Sequence, residues 1–124
     1  MISVDHLDHI ALTVSDVRRS VEWYRSVLGL ERRYEQWGVP VMMCAGNTCL
    51  ALFAADAEMQ ERTLGENTAL RHIAFRVGRE MFVQAQQELR QKGIEFVFED
   101  HSIAHSIYLE DPDGYRIELT TYGL

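Results

Sequence analysis

The sequence lacks a long apolar run, an excess of basic residues and a basic-then-apolar leader. No apolar stretch approaches the roughly 20 residues of a membrane span, so we expect no membrane partner. The formal net charge of −7 and the isoelectric point near 5.1 give no basic surface for a phosphate backbone, so we expect no nucleic-acid partner. The first residues, Met1–His6, do not resemble a secretory signal, and we expect a cytoplasmic location.

Cysteine is also scarce, since the chain has only Cys44 and Cys49. Between them, Gly46 and Asn47 suit a tight turn, so the two cysteines are expected near a hairpin bend. A metal pair or a hairpin disulfide remains open, but two reduced thiols are the expectation for a cytosolic protein.

What is present is a duplicated pattern within one domain-sized chain of 124 residues. His9–Val14 reads HIALTV, and His72–Val77 reads HIAFRV. Each copy precedes a segment with helical periodicity. The first of these helical segments follows a cap at Ser15 or Asp16 and ends at Gly29. The repeat predicts an α+β fold of two β-α-β-β-β modules.

The module boundaries follow from the strand and turn signals. Module 1 is predicted at about 5–55, a polar connector at about 56–67 and module 2 at about 68–124. After each helix we expect three strands, and a last hairpin turns at Asp111–Gly114. The predicted strands after the first are Glu31–Gln36, Val39–Ala45, Thr48–Ala54, Arg71–Val77, Glu95–Glu99, His105–Glu110 and Tyr115–Tyr122.

Alternation along these strands separates an apolar face from a polar one. His9 and His72 fall on the face opposite the apolar residues, and Glu118 takes the corresponding face of the last strand. Taken alone, each histidine is best interpreted as an ordinary hydrogen-bonded residue on a sheet face. The duplicated pair with a carboxylate favours a metal site, because two imidazoles and one carboxylate on one side of a cation suit Fe(II), and also Mn(II) or Zn(II).

Four segments carry a resemblance to a known family: Asp8–Val14, Tyr24–Leu30, Arg71–Phe75 and Ser106–Leu119. On these residues the chain resembles the vicinal oxygen chelate superfamily, which includes glyoxalases, bleomycin-resistance and fosfomycin-resistance proteins and extradiol dioxygenases. The resemblance implies paired modules that form an open, cup-shaped mixed sheet around a divalent ion. It also implies that His9, His72 and Glu118 are the metal ligands.

Departures from the family patterns rank its branches. The fourth, carboxylate ligand of glyoxalase I would fall near Ala51, which cannot bind a metal. Fosfomycin enzymes that use glutathione usually carry Thr where Ala11 stands, and a basic residue that Phe96–Glu99 does not offer. The segment Asp100–Leu109 resembles the extradiol branch, which implies catalytic roles for His101 and Tyr108. For Tyr108, a strand residue that merely fills the cup is almost as good a reading.

The resemblance therefore predicts a divalent-metal-dependent enzyme, best interpreted as an extradiol-type ring-cleaving dioxygenase acting on a catechol-like small molecule. Fe(II) is the preferred metal, and Mn(II), Zn(II), Ni(II) or Co(II) are alternatives. A glyoxalase-like lyase or isomerase, a fosfomycin-type thiol transferase and a small-molecule-sequestering resistance protein remain alternative functions. Exposed module edges predict a homodimer, while pairing of modules within one chain or between chains is left open.

Overall fold

The computed structural model describes residues 1–55 and 69–124, and the connector predicted at about 56–67 lies outside the described residues. The chain divides into two compact units, Met1–Glu61 and Arg62–Leu124. Each unit contains a four-stranded mixed sheet and one α-helix in its described part, which confirms the α+β class and the repeated module. No helix within the described ranges is long and apolar enough to cross a membrane.

The first unit has the strand order β1-β4-β3-β2, with β1 parallel to β4. Its helix is capped at the N-terminus by Asp16, whose side chain accepts a hydrogen bond from the Arg19 N–H at 3.1 Å, and at the C-terminus by Gly29, where φ is +68°. The elements are β1 (His9–Val14), α1 (Val17–Leu28), β2 (Glu31–Arg33), a short 3-10 helix (Glu35–Trp37), β3 (Val41–Ala45) and β4 (Thr48–Ala54).

Burial in the first unit follows strand alternation. Leu12 and Val14 of β1 are buried, whereas Ala11, which precedes Leu12 and points to the opposite face, is exposed. The helix α1 contacts β3 and β4, and its Tyr24 is fully buried. His9 and Ala11 therefore lie on the face of this sheet that is opposite to the one packed against α1.

The prediction of a strand over Glu31–Gln36 is wrong beyond Arg33. Tyr34 has a left-handed backbone with φ of 57°, which takes the chain out of the extended conformation. The Trp37 N–H then donates to the Tyr34 carbonyl at 3.1 Å, and a 3-10 turn replaces the end of the strand. The ring of Trp37 stacks on that of Tyr34 with centroids 5.1 Å apart.

The prediction of two reduced thiols is also wrong, because Cys44 and Cys49 form a disulfide. The two-residue turn at Gly46 and Asn47 places these cysteines directly opposite each other in the β3–β4 ladder, with Cα atoms 4.0 Å apart. Opposite residues of an antiparallel pair are close enough for this bond. The hairpin itself lies where the turn residues predicted it.

The second unit repeats the plan, with the strand order β5-β8-β7-β6 and β5 parallel to β8. Helix α2 buries Phe82 and Leu89, and Gly93 follows it with φ of +69°. Oδ1 of the buried Asp111 accepts from the N–H groups of Asp113 and Tyr115, both at 2.8 Å, and so fixes the last hairpin. The elements are β5 (Ile73–Arg76), α2 (Arg79–Gln91), β6 (Val97–Asp100), β7 (His105–Glu110) and β8 (Arg116–Thr121).

The parallel strand pairs show how the two units correspond. In the first unit Ala11 lies opposite Ala51, and in the second unit Ala74 lies opposite Glu118. Because Ala11 follows His9 by two residues and Ala74 follows His72 by two, Ala51 occupies the position that Glu118 has in the second unit. Only the second unit therefore offers a carboxylate at this position.

Candidate active site

Two of the predicted metal ligands meet in the second unit. His72 immediately precedes β5, and Glu118 projects from the neighbouring parallel strand β8 on the same face. The His72 Nε2 and the Glu118 Oε2 atoms are 2.9 Å apart. Ala74 lies beside them and has no bulk to fill the space. An imidazole nitrogen and a carboxylate oxygen that converge in this way suit a divalent cation.

The two predicted catalytic residues also meet, next to the same carboxylate. Tyr108 lies directly opposite Glu118 in the β7–β8 ladder. Its hydroxyl is 2.9 Å from His101 Nε2, a hydrogen bond whose direction depends on the histidine tautomer. The edge-to-face contact between the Tyr108 and His72 rings has a centroid separation of 5.8 Å. The phenol of Tyr108 thus lies between His101 and the His72–Glu118 pair.

A tight loop holds His101 in this position. Asp100 Oδ1 accepts from the Ser102 N–H at 2.8 Å, and Ser102 has a left-handed backbone with φ of 69°. The His101 N–H donates to the Ala104 carbonyl at 2.9 Å. Glu99 Oε2 lies 3.4 Å from His101 Nε2, so a carboxylate is available to stabilise a protonated ring. The sequence does not predict a role for Glu99.

Burial raises the pKa of the Tyr108 hydroxyl above its ordinary value of 10.0. The charge of Glu118 and its hydrogen bond with the phenol raise this pKa further, while the guanidinium of Arg116 lowers it. Tyr108 therefore keeps its proton across the neutral and mildly alkaline range and can donate a hydrogen bond there.

In metal-free protein, we expect Tyr108 to ionise above pH 10, and a Glu118→Gln substitution to lower this pKa part of the way. The pKa should stay above 10 in that variant because burial, the largest cause, remains. Absorbance of tyrosinate at about 295 nm, read as the difference from a Tyr108→Phe variant, isolates this one residue. Since the folded state holds the proton more tightly, the free energy of unfolding should fall as the pH rises above about 10. A Tyr108 pKa below 10 contradicts this prediction.

The third predicted ligand, His9, belongs to the first unit, where it begins β1 opposite Cys49. Its Nδ1 lies 2.7 Å from Asp8 Oδ2, which leaves Nε2 as the nitrogen for a further partner. A carboxylate on the remote nitrogen is how metal-binding histidines are commonly oriented. Within residues 1–55 and 69–124, no three His, Cys, Asp or Glu side chains gather as a metal-binding group, so the three-ligand set stays a prediction.

The neighbouring histidine, His105, begins strand β7 and lies on the helix side of its sheet. Its Nδ1 is 3.1 Å from Arg79 Nη1, and its ring contacts those of Phe82 and Phe98. His105 therefore packs under helix α2 and takes no part in the cluster around Glu118.

Comparison with known proteins supports this assignment of the fold. Residues 6–119 match the model of the Glyoxalase/Bleomycin resistance protein/Dioxygenase superfamily. A solved glyoxylase/bleomycin resistance protein/dioxygenase domain from Frankia sp. EAN1pec has a TM-score of 0.76 at 20% identity, covering 96% of this chain and 93% of that chain.

Two curated relatives are enzymes. Glutathione transferase FosA from Serratia marcescens is 30% identical over 113 residues, which span 91% of this chain and 78% of the relative. Catechol-2,3-dioxygenase from Bacillus subtilis (strain 168) is 26% identical over 118 residues, which span 92% of this chain but 40% of that enzyme. Because the family model covers nearly the whole sequence, this chain belongs to the Glyoxalase/Bleomycin resistance protein/Dioxygenase superfamily.

Proposed function

We propose that the chain is a divalent-metal-dependent enzyme of the extradiol type, which cleaves the ring of a catechol-like small molecule with dioxygen as the oxidant. The observation that carries this proposal is the hydrogen bond between His101 and Tyr108 beside Glu118. This arrangement joins a proton-transfer group and a proton donor to a carboxylate suited to a metal.

In this proposal His9, His72 and Glu118 hold the metal. The contact between His72 and Glu118 supports the assignment of these two ligands, and His9 has Nε2 available as the proposed third. Two imidazoles and one carboxylate suit Fe(II) best, with Mn(II), Zn(II), Ni(II) and Co(II) as alternatives. When bound, such a cation lowers the pKa of a coordinated substrate hydroxyl.

The remaining residues of the cluster then act on the substrate. His101 Nε2 takes up the proton that the substrate hydroxyl loses, and Glu99, 3.4 Å away, stabilises the protonated ring. Tyr108 keeps its own proton and donates a hydrogen bond to a substrate oxygen. Its largely buried ring covers this side of the site, in edge-to-face contact with the exposed ring of His72.

The test is an oxygen-uptake assay on protein loaded with Fe(II) under anaerobic conditions. On admission of air, at least one member of a broad panel of catechols should be consumed in proportion to the oxygen taken up. A His72→Ala protein, treated identically, provides the background rate. Fully iron-loaded protein that takes up no oxygen with any diol of the panel contradicts the proposed reaction.

The comparison with FosA favours a second candidate, the transfer of a thiol to a small molecule. That relative is matched over 78% of its length, compared with 40% for the dioxygenase. Ala11 and Phe96–Glu99, which depart from the fosfomycin-enzyme pattern, argue against it. Activity that persists without dioxygen and after replacement of iron by manganese would identify this candidate, or a lyase or isomerase, as the better description.

A further inference from the structure

Arg116 presents a positive charge next to the candidate site. Its guanidinium lies over the Tyr108 ring, 4.3 Å from the centroid, and the side chain is exposed. Arg116 lies on the same face of β8 as Glu118, two residues away. Because its guanidinium contacts Tyr108, the positive charge of Arg116 lies next to the residues that we propose to be catalytic.

The guanidinium has spare hydrogen-bonding capacity. Within residues 1–55 and 69–124, no carboxylate oxygen lies at ion-pair distance from Arg116. Glu110 is opposite it in the β7–β8 ladder but makes no ion pair with it. A guanidinium has five N–H donors in a planar fork that matches a carboxylate, and stacking on an aromatic face leaves the edge of this fork available.

A cavity of about 1060 Å³ opens beside this arginine, within the second unit. Its walls combine apolar surface with two guanidinium groups, those of Arg90 and Arg116, and with the carboxylates of Glu95 and Glu110. A mostly apolar wall with a few placed charges is typical of a site for a small organic molecule. Lining residues include Val97, Phe98, Tyr108, Leu109, Glu110 and Arg116.

We propose that Arg116 binds an acidic group of the substrate, which makes the substrate class catechol-like molecules that carry a carboxylate. The inference rests on the proposed function for the diol half of the substrate. The apolar wall of the cavity receives the carbon skeleton, and the acidic group meets the edge of the guanidinium. Glu110 opposes this binding by its charge and keeps the affinity for the anion moderate.

The test compares 3,4-dihydroxybenzoate with uncharged catechol by anaerobic binding titration of the manganese-loaded protein. Native protein should bind the carboxylate-bearing diol more tightly, and Arg116→Gln should weaken that binding about 10- to 100-fold while catechol binding is unchanged. Arg116→Lys should recover part of the loss, and Glu110→Gln should strengthen binding of the anionic diol. Arg76→Gln is the matched control, because Arg76 is on the same face of the sheet. Its guanidinium also lies over a tyrosine ring, 4.7 Å from the centroid of Tyr122.

A second titration, of benzoate into metal-free protein followed by nuclear magnetic resonance, separates this inference from the proposed reaction. If Arg116→Gln abolishes benzoate binding while no diol is ever cleaved, the anion site stands and ring cleavage fails. If the diols are bound or cleaved but Arg116→Gln leaves the preference for the carboxylate unchanged, the anion site is overturned. Absence of binding by both aromatic acids to native protein overturns it as well.

Discussion

Replacing His72 by Ala, or Glu118 by Gln, should abolish stoichiometric metal binding, with an apparent dissociation constant raised at least about 100-fold. Loss of an outer-shell partner alone typically costs about 10- to 100-fold in metal affinity, and these side chains are proposed to be direct ligands. Their atoms are already 2.9 Å apart, so removal of either one leaves a single donor at this position of the second unit. Elemental analysis after dialysis against limiting Fe(II) measures the effect.

His9→Ala should lose metal to a similar extent, although His9 belongs to the first unit. Matched controls are Glu110→Gln, which removes an exposed carboxylate from the neighbouring strand, and His6→Ala, which removes an exposed imidazole close to His9 in sequence. Both controls should retain one metal per chain. Full metal content in His9→Ala would remove this residue from the ligand set.

His101→Ala should lower kcat by about 100- to 10 000-fold, the usual contribution of a positioned acid–base group, while metal content stays at the native level. Tyr108→Phe should lower kcat less, because the ring keeps its packing against His72 and only the hydroxyl is lost. The rates are measured with the diol that gives the fastest oxygen uptake.

Two results sharpen this prediction. His105→Gln changes the other imidazole of the segment, which packs under helix α2, and should leave kcat within about threefold of native. A His101→Ala protein with native kcat would show that the His101–Tyr108 hydrogen bond is structural and carries no chemistry.

Much of the fold follows from the sequence because two levels of pattern agree. The duplicated motifs at His9 and His72 predict the repeat, and alternation predicts that Leu12 and Val14 are buried while Ala11 is not. The register of β5 against β8 then brings His72 to Glu118, which alternation alone makes possible but does not require. Strand ends are the least predictable part, since Tyr34 leaves the extended region with no signal in its residue type.

The parts of the site that the sequence does not predict depend on loop geometry and on side-chain rotamers. The face of Arg116 follows from its strand position, but its stacking on Tyr108 does not. Glu99 precedes His101 by two residues, and the contact between its Oε2 and His101 Nε2 depends on the rotamers of both side chains. Likewise, Asp8 contacts His9 through a single rotamer choice at an exposed site.

The most direct test of the central claim, that two imidazoles and one carboxylate hold a single cation, is an X-ray absorption spectrum of the zinc-loaded protein. One zinc per chain should show only nitrogen and oxygen neighbours at about 2.0–2.2 Å, with scattering from two imidazoles that falls to one in His9→Ala. Sulfur neighbours at about 2.3 Å, or an imidazole signal that neither His9→Ala nor His72→Ala reduces, would contradict it.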